Sequence, residues 1–392
     1  MKSTEIIKNY DNCVMHTYGR VSLASEAGCN ASCRDADGKE FIDFGSGIGT
    51  NSLGFADSAW ADAVSAQAHC IQHISNYYYN EVSGNFARKL TSLTGMDKLF
   101  FGNSGAEANE CAIKIARKYS HDRYGDGRNT IITLQNSFHG RTIATLSATG
   151  QDTFHQHFFP FVGGFKYCPA NDITALHELV DDTVCAIMFE AVQGEGGVIA
   201  LDKAFVEEIF KIAEQKDILT IADEVQCGCG RTGKFLAVEH FGVTPDIVTM
   251  AKGLGGGLPI GVCLAKGAAA EVLTPGTHGS TFGGNPVVCA GGTVVLDRVG
   301  EKDFLDEISA KGEYIRKALT DMPHVVSVSG LGLMLGITLD GVKAPDILKK
   351  ALEKGLLVLT AKEKLRLLPP LTITYEEIDR GLEILRGILS GE

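Results

Sequence analysis

Between about residues 97 and 265, short runs that are apolar on both faces alternate with stretches whose apolar residues recur at helical spacing. The short runs are 98–101, 130–134, 184–189, 218–222, 246–250 and 262–265. Strands covered on both faces have this composition, and such strands are mostly parallel. The spacing predicts helices over 106–119, 173–180 and 203–216. The alternation therefore predicts an α/β unit with helices on both faces of its sheet. Upstream, 34–44 alternates polar and apolar positions about an Asp-Gly pair, which predicts a hairpin. The run 48–54 reads as a loop, and 56–75 and 82–94 have helical periodicity. Beyond 285, two long helices are predicted over 286–299 and 301–319, followed by mixed strands and helices of a separate α+β lobe.

Length and composition narrow the class. A chain of 392 residues is too long for one small core and suits two lobes. The formal net charge of −12 argues against a nucleic-acid groove or an anionic membrane, since both want basic patches. The first ten residues lack the apolar core of a signal peptide, and no apolar run approaches the roughly 20 residues that span a bilayer. The 11 cysteines are scattered without paired or zinc-finger spacing, so reduced thiols in a cytoplasmic enzyme are expected. Asp35-Ala-Asp-Gly38 lacks the other ligand positions of a calcium loop. His155 and His157 read as ordinary loop residues, so no metal site is expected.

One stretch changes the picture. The predicted strand 246–250 runs into a single cation, Lys252, and then into a segment with five glycines between 253 and 261. A surface lysine before a flexible loop is the commoner meaning of such a pattern. At the end of a buried strand, however, an ammonium is poorly solvated, its pKa falls, and the amine becomes nucleophilic towards a carbonyl.

Other stretches supply complementary chemistry. Gly102-Asn-Ser104-Gly105-Ala106-Glu107 joins a strand to a helix, where small residues and free N–H groups bind phosphate; a plain capping box between Ser104 and Glu107 is the alternative. In 136–142, Phe138 is placed to stack on a flat ring and Arg141 to grip a carboxylate. The strand 218–222 ends in Asp223, a charge that burial makes costly without a partner such as a protonated ring nitrogen or a salt bridge. Another strand ends in Glu190 and Glu195, 279–286 offers hydroxyls, and Arg366 is a lone cation in an apolar strand. A phosphate cup, a stacking aromatic, an acid for a ring nitrogen and an amine for an aldehyde are all requirements of one molecule, pyridoxal 5′-phosphate (PLP).

With these residues in hand, the chain resembles the class III (ornithine-type) aminotransferases. The motifs are Asn103–Asn109, Ser137–Thr142, Ala222–Gln226, Met250–Gly257 and Ser280–Asn285, and the match runs from about Met15 to the C-terminus. Residues 16–20, 75–79 and 189–197 are most similar to the acetylornithine branch of the class, which serves arginine biosynthesis.

The resemblance implies a fold-type I homodimer with active sites at the subunit interface. Residues 51–285 would be the large PLP-binding domain, 1–50 an arm and hairpin belonging to the small domain, and 286–392 the rest of that domain. It implies Lys252 as the lysine that binds the cofactor aldehyde and Asp223 as partner of the pyridine nitrogen. Phe138 would cover the ring, with Val225 and Gln226 on its other side and Glu224 also binding the cofactor. Ser104, Gly105 and Ala106 would bind the phosphate, joined by Thr281 of the partner subunit. Arg141 would take a substrate carboxylate with Ser280 nearby, and Glu195 would pair with Arg366 as a switch, screening the arginine until a second carboxylate enters. N-acetylornithine would be the amine donor and 2-oxoglutarate the acceptor. Ornithine, succinylornithine and 4-aminobutyrate transaminases share most of these motifs. Cys227, Cys229 and Ala191-Val192 depart from the usual residues and read as packing swaps.

Two rivals fall on context. Gly228-Cys-Gly-Arg-Thr-Gly233 spells a dinucleotide-binding fingerprint, but no clear helix follows and no acid stands at a strand end about 20 residues on. A non-catalytic relative would be expected to lack Lys252 or Asp223, and both are present.

Overall fold

The computed structural model describes residues 1–391. Seven strands form the central sheet, in the spatial order Lys98–Gly102, Gly261–Ala265, Ile247–Met250, Leu219–Asp223, Val184–Phe189, Thr130–Leu134, Phe165–Cys168. Every adjacent pair from Ile247–Met250 outward to Phe165–Cys168 is parallel, and Gly261–Ala265 is antiparallel to both of its neighbours. The mostly parallel α/β sheet expected from the apolar runs is therefore present.

Side-chain alternation explains why those runs are apolar on both faces. Ile131, Met188, Ile221, Ile247 and Cys263 join a core with Cys111, Ala112 and Ile115 of the helix Gly105–Tyr124. Their sequence neighbours Ile132, Ile187, Ala222, Val248 and Leu264 face the other way, into a core with Phe205, Val206 and Ile209 of the helix Lys203–Lys216. Each buried Ile, Leu or Phe contributes about 1.5–3 kcal/mol of apolar transfer, and the buried polar residues within these strands, short of their ends, are uncharged threonines such as Thr133, Thr220 and Thr249. The parallel strands end together, and there Asn136, Glu190, Asp223 and Lys252 each follow or close one of them.

Three smaller sheets lie outside this one, the least of them the two-stranded pairing of Val192–Gln193 with Ile199–Ala200. The hairpin Ser32–Asp35 with Glu40–Asp43 forms as its Asp-Gly turn predicts, and Glu40–Asp43 pairs in parallel with Leu356–Leu357 from the far end of the chain. A second sheet joins Val325–Leu331, Met334–Leu339, Lys364–Leu367 and Leu359–Ala361. The helix Pro286–Val299 packs mainly on Ser58–Cys70 and Glu81–Thr94.

Several local expectations need correction. The helix expected over 56–75 is only Ser58–Cys70, opened by Asp57 accepting the N–H of Trp60 at 2.9 Å. Residues 48–54 are not wholly irregular, because Ser46–Gly49 coils in a tight turn with positive φ at Gly47 and Ile48. The N-terminal arm is helical over Ser3–Cys13. Phe165–Cys168 was not anticipated as a strand; it is an edge strand, half-buried at three positions, so it carries no continuous apolar run.

Candidate active site

A cavity of about 440 Å³ opens at the carboxyl ends of the parallel strands. Its wall on one side is the start of the helix Gly105–Tyr124. The first N–H groups of a helix have no intrahelical acceptor. Ser104 Oγ accepts that of Glu107 at 3.2 Å, and Glu107 in turn accepts from the backbone N–H of Asn103 and the hydroxyl of Ser104. The capping interaction is thus real, and it leaves Gly105 and Ala106 lining the cavity. A Cβ at Gly105 would sit 2.7 Å from Val225 Cγ1, so only glycine allows this close approach.

Asp223 closes its strand almost fully buried. Its Oδ2 accepts from Asn109 Nδ2 at 2.8 Å and lies 2.7 Å from Nδ1 of the buried His139; its Oδ1 accepts the N–H of Val225 at 3.0 Å. A carboxylate offers about four lone-pair sites, so three are occupied and one remains for a donor in the cavity. Asn109 also donates to the carbonyl of His139 at 2.8 Å, which ties the helix to the loop that carries Phe138.

Lys252 lines the same cavity. Its φ of 43° is an uncommon conformation for a side-chain-bearing residue, of the kind that clusters at functional sites. Burial pushes its ammonium pKa down from the ordinary lysine range, opposed by Glu195 and Asp223 and assisted by Arg366.

Phe138 borders the cavity. Its N–H donates to Glu190 Oε1 at 2.9 Å, and Glu190 Oε2 accepts the N–H of Gly194 at 3.3 Å. Glu190 therefore staples the Phe138 loop to the loop that leads to Glu195. Burial drives its carboxyl pKa up to about 7. Arg141, exposed at the mouth, stands over the rings of Phe154 and Phe138, its Cζ 4.0 and 5.6 Å from their centroids.

Glu195, in the turn between Val192–Gln193 and Ile199–Ala200, and Arg366, in the strand Lys364–Leu367, form a two-point ion pair at 2.6 and 3.3 Å. Gln226 bridges them, donating to Glu195 and accepting from Arg366, each at 3.1 Å. Burial raises the Glu195 carboxyl, but the Arg366 guanidinium outweighs it and holds the pKa below the usual value.

The Glu195–Arg366 pair adjoins the cavity through Gln226 rather than lining it, and three further expected residues stand elsewhere. Glu224 is a correction: its carboxylate points away from the cavity and accepts the N–H groups of Ala237 and Val238 at 2.8 and 2.9 Å. Ser280 Oγ accepts from Asn103 Nδ2 and from the N–H of Gly283, both at 3.1 Å, beside the cavity rather than in it. Thr281 is exposed outside it. Conversely, Asn109 and His139 take part although the motif containing each of them assigned it no role. Asn109 could have been found from its spacing, one helical turn past Gly105 and so on the same face; nothing local marks His139.

The fit to PLP is direct. The cavity is lined by a helix opening for phosphate, an aromatic, a carboxylate with one free acceptor site and a desolvated amine.

Comparison with known proteins agrees with this chemistry. Residues 14–389 match the family model described as Aminotransferase class-III. An acetylornithine aminotransferase of Haemophilus ducreyi is 51% identical over 391 residues, 99% of each chain. Another, from Caldanaerobacter subterraneus, is 48% identical over 382 residues, 96% of this chain and 97% of its own. Among solved structures, the N-acetylornithine aminotransferase of Stenotrophomonas maltophilia superposes with a TM-score of 0.85 at 33% identity, covering 98% of both chains. The ornithine aminotransferase of Toxoplasma gondii gives 0.94 at 30% identity, covering 100% of this chain and 97% of that one. Backbone likeness is thus shared by enzymes named for different amines.

Proposed function

The chain belongs to the class III aminotransferases, and from that membership we propose that it moves the terminal amino group of N2-acetyl-L-ornithine to 2-oxoglutarate. The products are N-acetylglutamate 5-semialdehyde and L-glutamate, a step of arginine biosynthesis. The observation that carries the reading is the placement of Lys252 and Asp223 on one cavity, with Arg141 at its mouth.

PLP is the cofactor of this class; when bound, it supplies an aldehyde for the amine and a ring that takes up negative charge as a proton leaves the substrate. Lys252 would hold the aldehyde, and its Nζ as a free amine would take the proton from the amine-bearing carbon, a task suited to an amine whose pKa burial has lowered. Asp223, held by Asn109, His139 and the Val225 N–H, presents a fixed negative charge to the ring nitrogen. Phe138, Val225 and Gln226 would hold the ring, and Ser104, Gly105 and Ala106 would hold the phosphate.

Arg141 binds the substrate carboxylate that both half-reactions share, with Ser280 nearby. The Glu195 pair masks Arg366 while an amino group occupies the site and opens when a second carboxylate enters. The working unit is a homodimer in which Thr281 of the partner subunit completes the phosphate site. The exposed aromatics Tyr77, Tyr79 and Phe282 beside that segment support this, because such a patch marks an interface. Residues 51–285 form the cofactor-binding unit, and 1–50 with 286–392 the smaller one, with Pro286–Val299 as the bridge. Eleven free cysteines support a reducing, cytoplasmic setting. No helix among the described residues is long and apolar enough to cross a membrane.

Turnover of N-acetylornithine, ornithine, succinylornithine and 4-aminobutyrate, side by side with 2-oxoglutarate, tests the substrate. N-acetylornithine is expected to give the highest kcat/KM; a higher value for one of the others overturns the choice of amine and leaves the reaction class standing.

A further inference from the structure

We propose that Phe154 is a positioning residue that sets carboxylate affinity at Arg141, by holding the guanidinium by its face and leaving its N–H edge free. The proposal rests on Arg141 being the carboxylate site.

The geometry begins with what Arg141 touches. Its Cζ lies 4.0 Å from the Phe154 ring centroid, nearer than to Phe138 at 5.6 Å. Among the described residues no carboxylate forms an ion pair with it, whereas Arg123, Arg298, Arg316 and Arg366 each have one. The two modes of holding an arginine differ in what they leave available. An acid occupies the in-plane N–H groups and neutralises the charge. An aromatic ring attracts the flat face, so the N–H fork and the charge both remain for a bidentate carboxylate. An exposed arginine with no latch loses rotamer freedom when it binds; one already stacked on a ring has lost part of it beforehand.

Phe154 is itself well placed to act as a latch. It closes the short turn Asp152–Phe154, with its N–H donating to the Gln151 carbonyl at 3.0 Å. The Gln151 side chain donates to the Ser137 carbonyl at 3.0 Å, and the Gly150 N–H to the Ser137 hydroxyl at 3.0 Å. Ser137 precedes Phe138, so the turn is bolted to the segment that carries the cavity aromatic. The Phe154 ring then meets Phe138 edge-on, with centroids 5.9 Å apart and planes at 76°. Ring, ring and guanidinium form one connected series running from the cavity to its mouth.

The test uses the holoenzyme and glutarate, a five-carbon dicarboxylate with no keto group to accept an amine, with its Kd measured by calorimetry. Phe154→Leu should weaken glutarate binding about tenfold, which corresponds to about 1.4 kcal/mol. KM for 2-oxoglutarate should rise in parallel, with kcat within about threefold of wild type, since a positioning change on uniform binding moves KM and spares kcat. Phe154→Tyr keeps the ring and should stay within about twofold of wild type. If the leucine variant fails to fold, Phe154→Met supplies the same comparison. Wild-type glutarate affinity in the leucine or methionine variant, alongside weakened binding in Arg141→Ala, overturns the proposal alone. Equal losses in the tyrosine and leucine variants also overturn it, because packing rather than the ring face would then be responsible. Unchanged binding in Arg141→Ala overturns the reading of Arg141 and this proposal with it.

Discussion

The Oδ2 of Asp223 lies 2.7 Å from Nδ1 of His139, with both side chains almost wholly buried at the end of an apolar strand. A carboxylate there is tolerable only because donors surround it, and Asn109 and the Val225 N–H complete the set. Asp223→Asn removes the fixed charge and keeps the shape. It should lower kcat about 10²–10³-fold, in the range of losing one electrostatic stabiliser, and weaken PLP retention on dialysis. Wild-type turnover in this variant would remove Asp223 from the mechanism.

Lys252→Ala should abolish turnover and the visible absorbance of cofactor tied to the resting enzyme. The loss should exceed the roughly 10²–10⁴-fold that a positioned acid–base group contributes, because the covalent anchor goes with it. Survival of both signals would refute the assignment.

Glu195→Gln leaves Arg366, which is 3% exposed, without its counter-charge. Leaving a buried guanidinium uncompensated is destabilising, so the Tm should fall. The unmasked guanidinium should also favour dicarboxylates, lowering KM for 2-oxoglutarate relative to that for N-acetylornithine. An unchanged ratio of the two KM values would rule out the switch.

Glu190 gives a pH signature. Burial raises its carboxyl from the ordinary 4.5 to about 7, so the folded chain holds this proton more tightly than the unfolded one. Its favourable contribution to stability is complete below pH 4.5 and is lost as the pH rises through 7. Glu190→Gln has no proton to lose. Thermal melts of the two holoproteins from pH 5 to pH 8 should therefore shift in the glutamine variant's favour as pH rises. A constant Tm difference would contradict the raised pKa.

Much of this was legible along the chain because it depends on local rules. Apolar runs buried on both faces identified six of the seven central strands, and the half-exposed edge strand Phe165–Cys168 was missed for lack of such a run. Lys252 and Asp223 were recognisable as charges at the ends of apolar strands, and Phe138 and Arg141 as an aromatic beside a guanidinium in the segment after another. The Glu195–Arg366 pair bridges 171 positions, and only the resemblance to a family joined them beforehand.

The sequence alone determined the alternation of strands and helices, the glycine-lined turns and the residue types that PLP chemistry requires, since periodicity and backbone freedom are properties of neighbours in the chain. Tertiary structure decided which of two adjacent acids serves the cavity. Asp223 and Glu224 share one strand end, yet successive side chains point to opposite sides, so one carboxylate faces the cavity while the other caps the turn Ala237–Phe241. It also decided that Asn109, His139 and Phe154 belong to the site, because their partners arrive from distant segments through packing that no local pattern records.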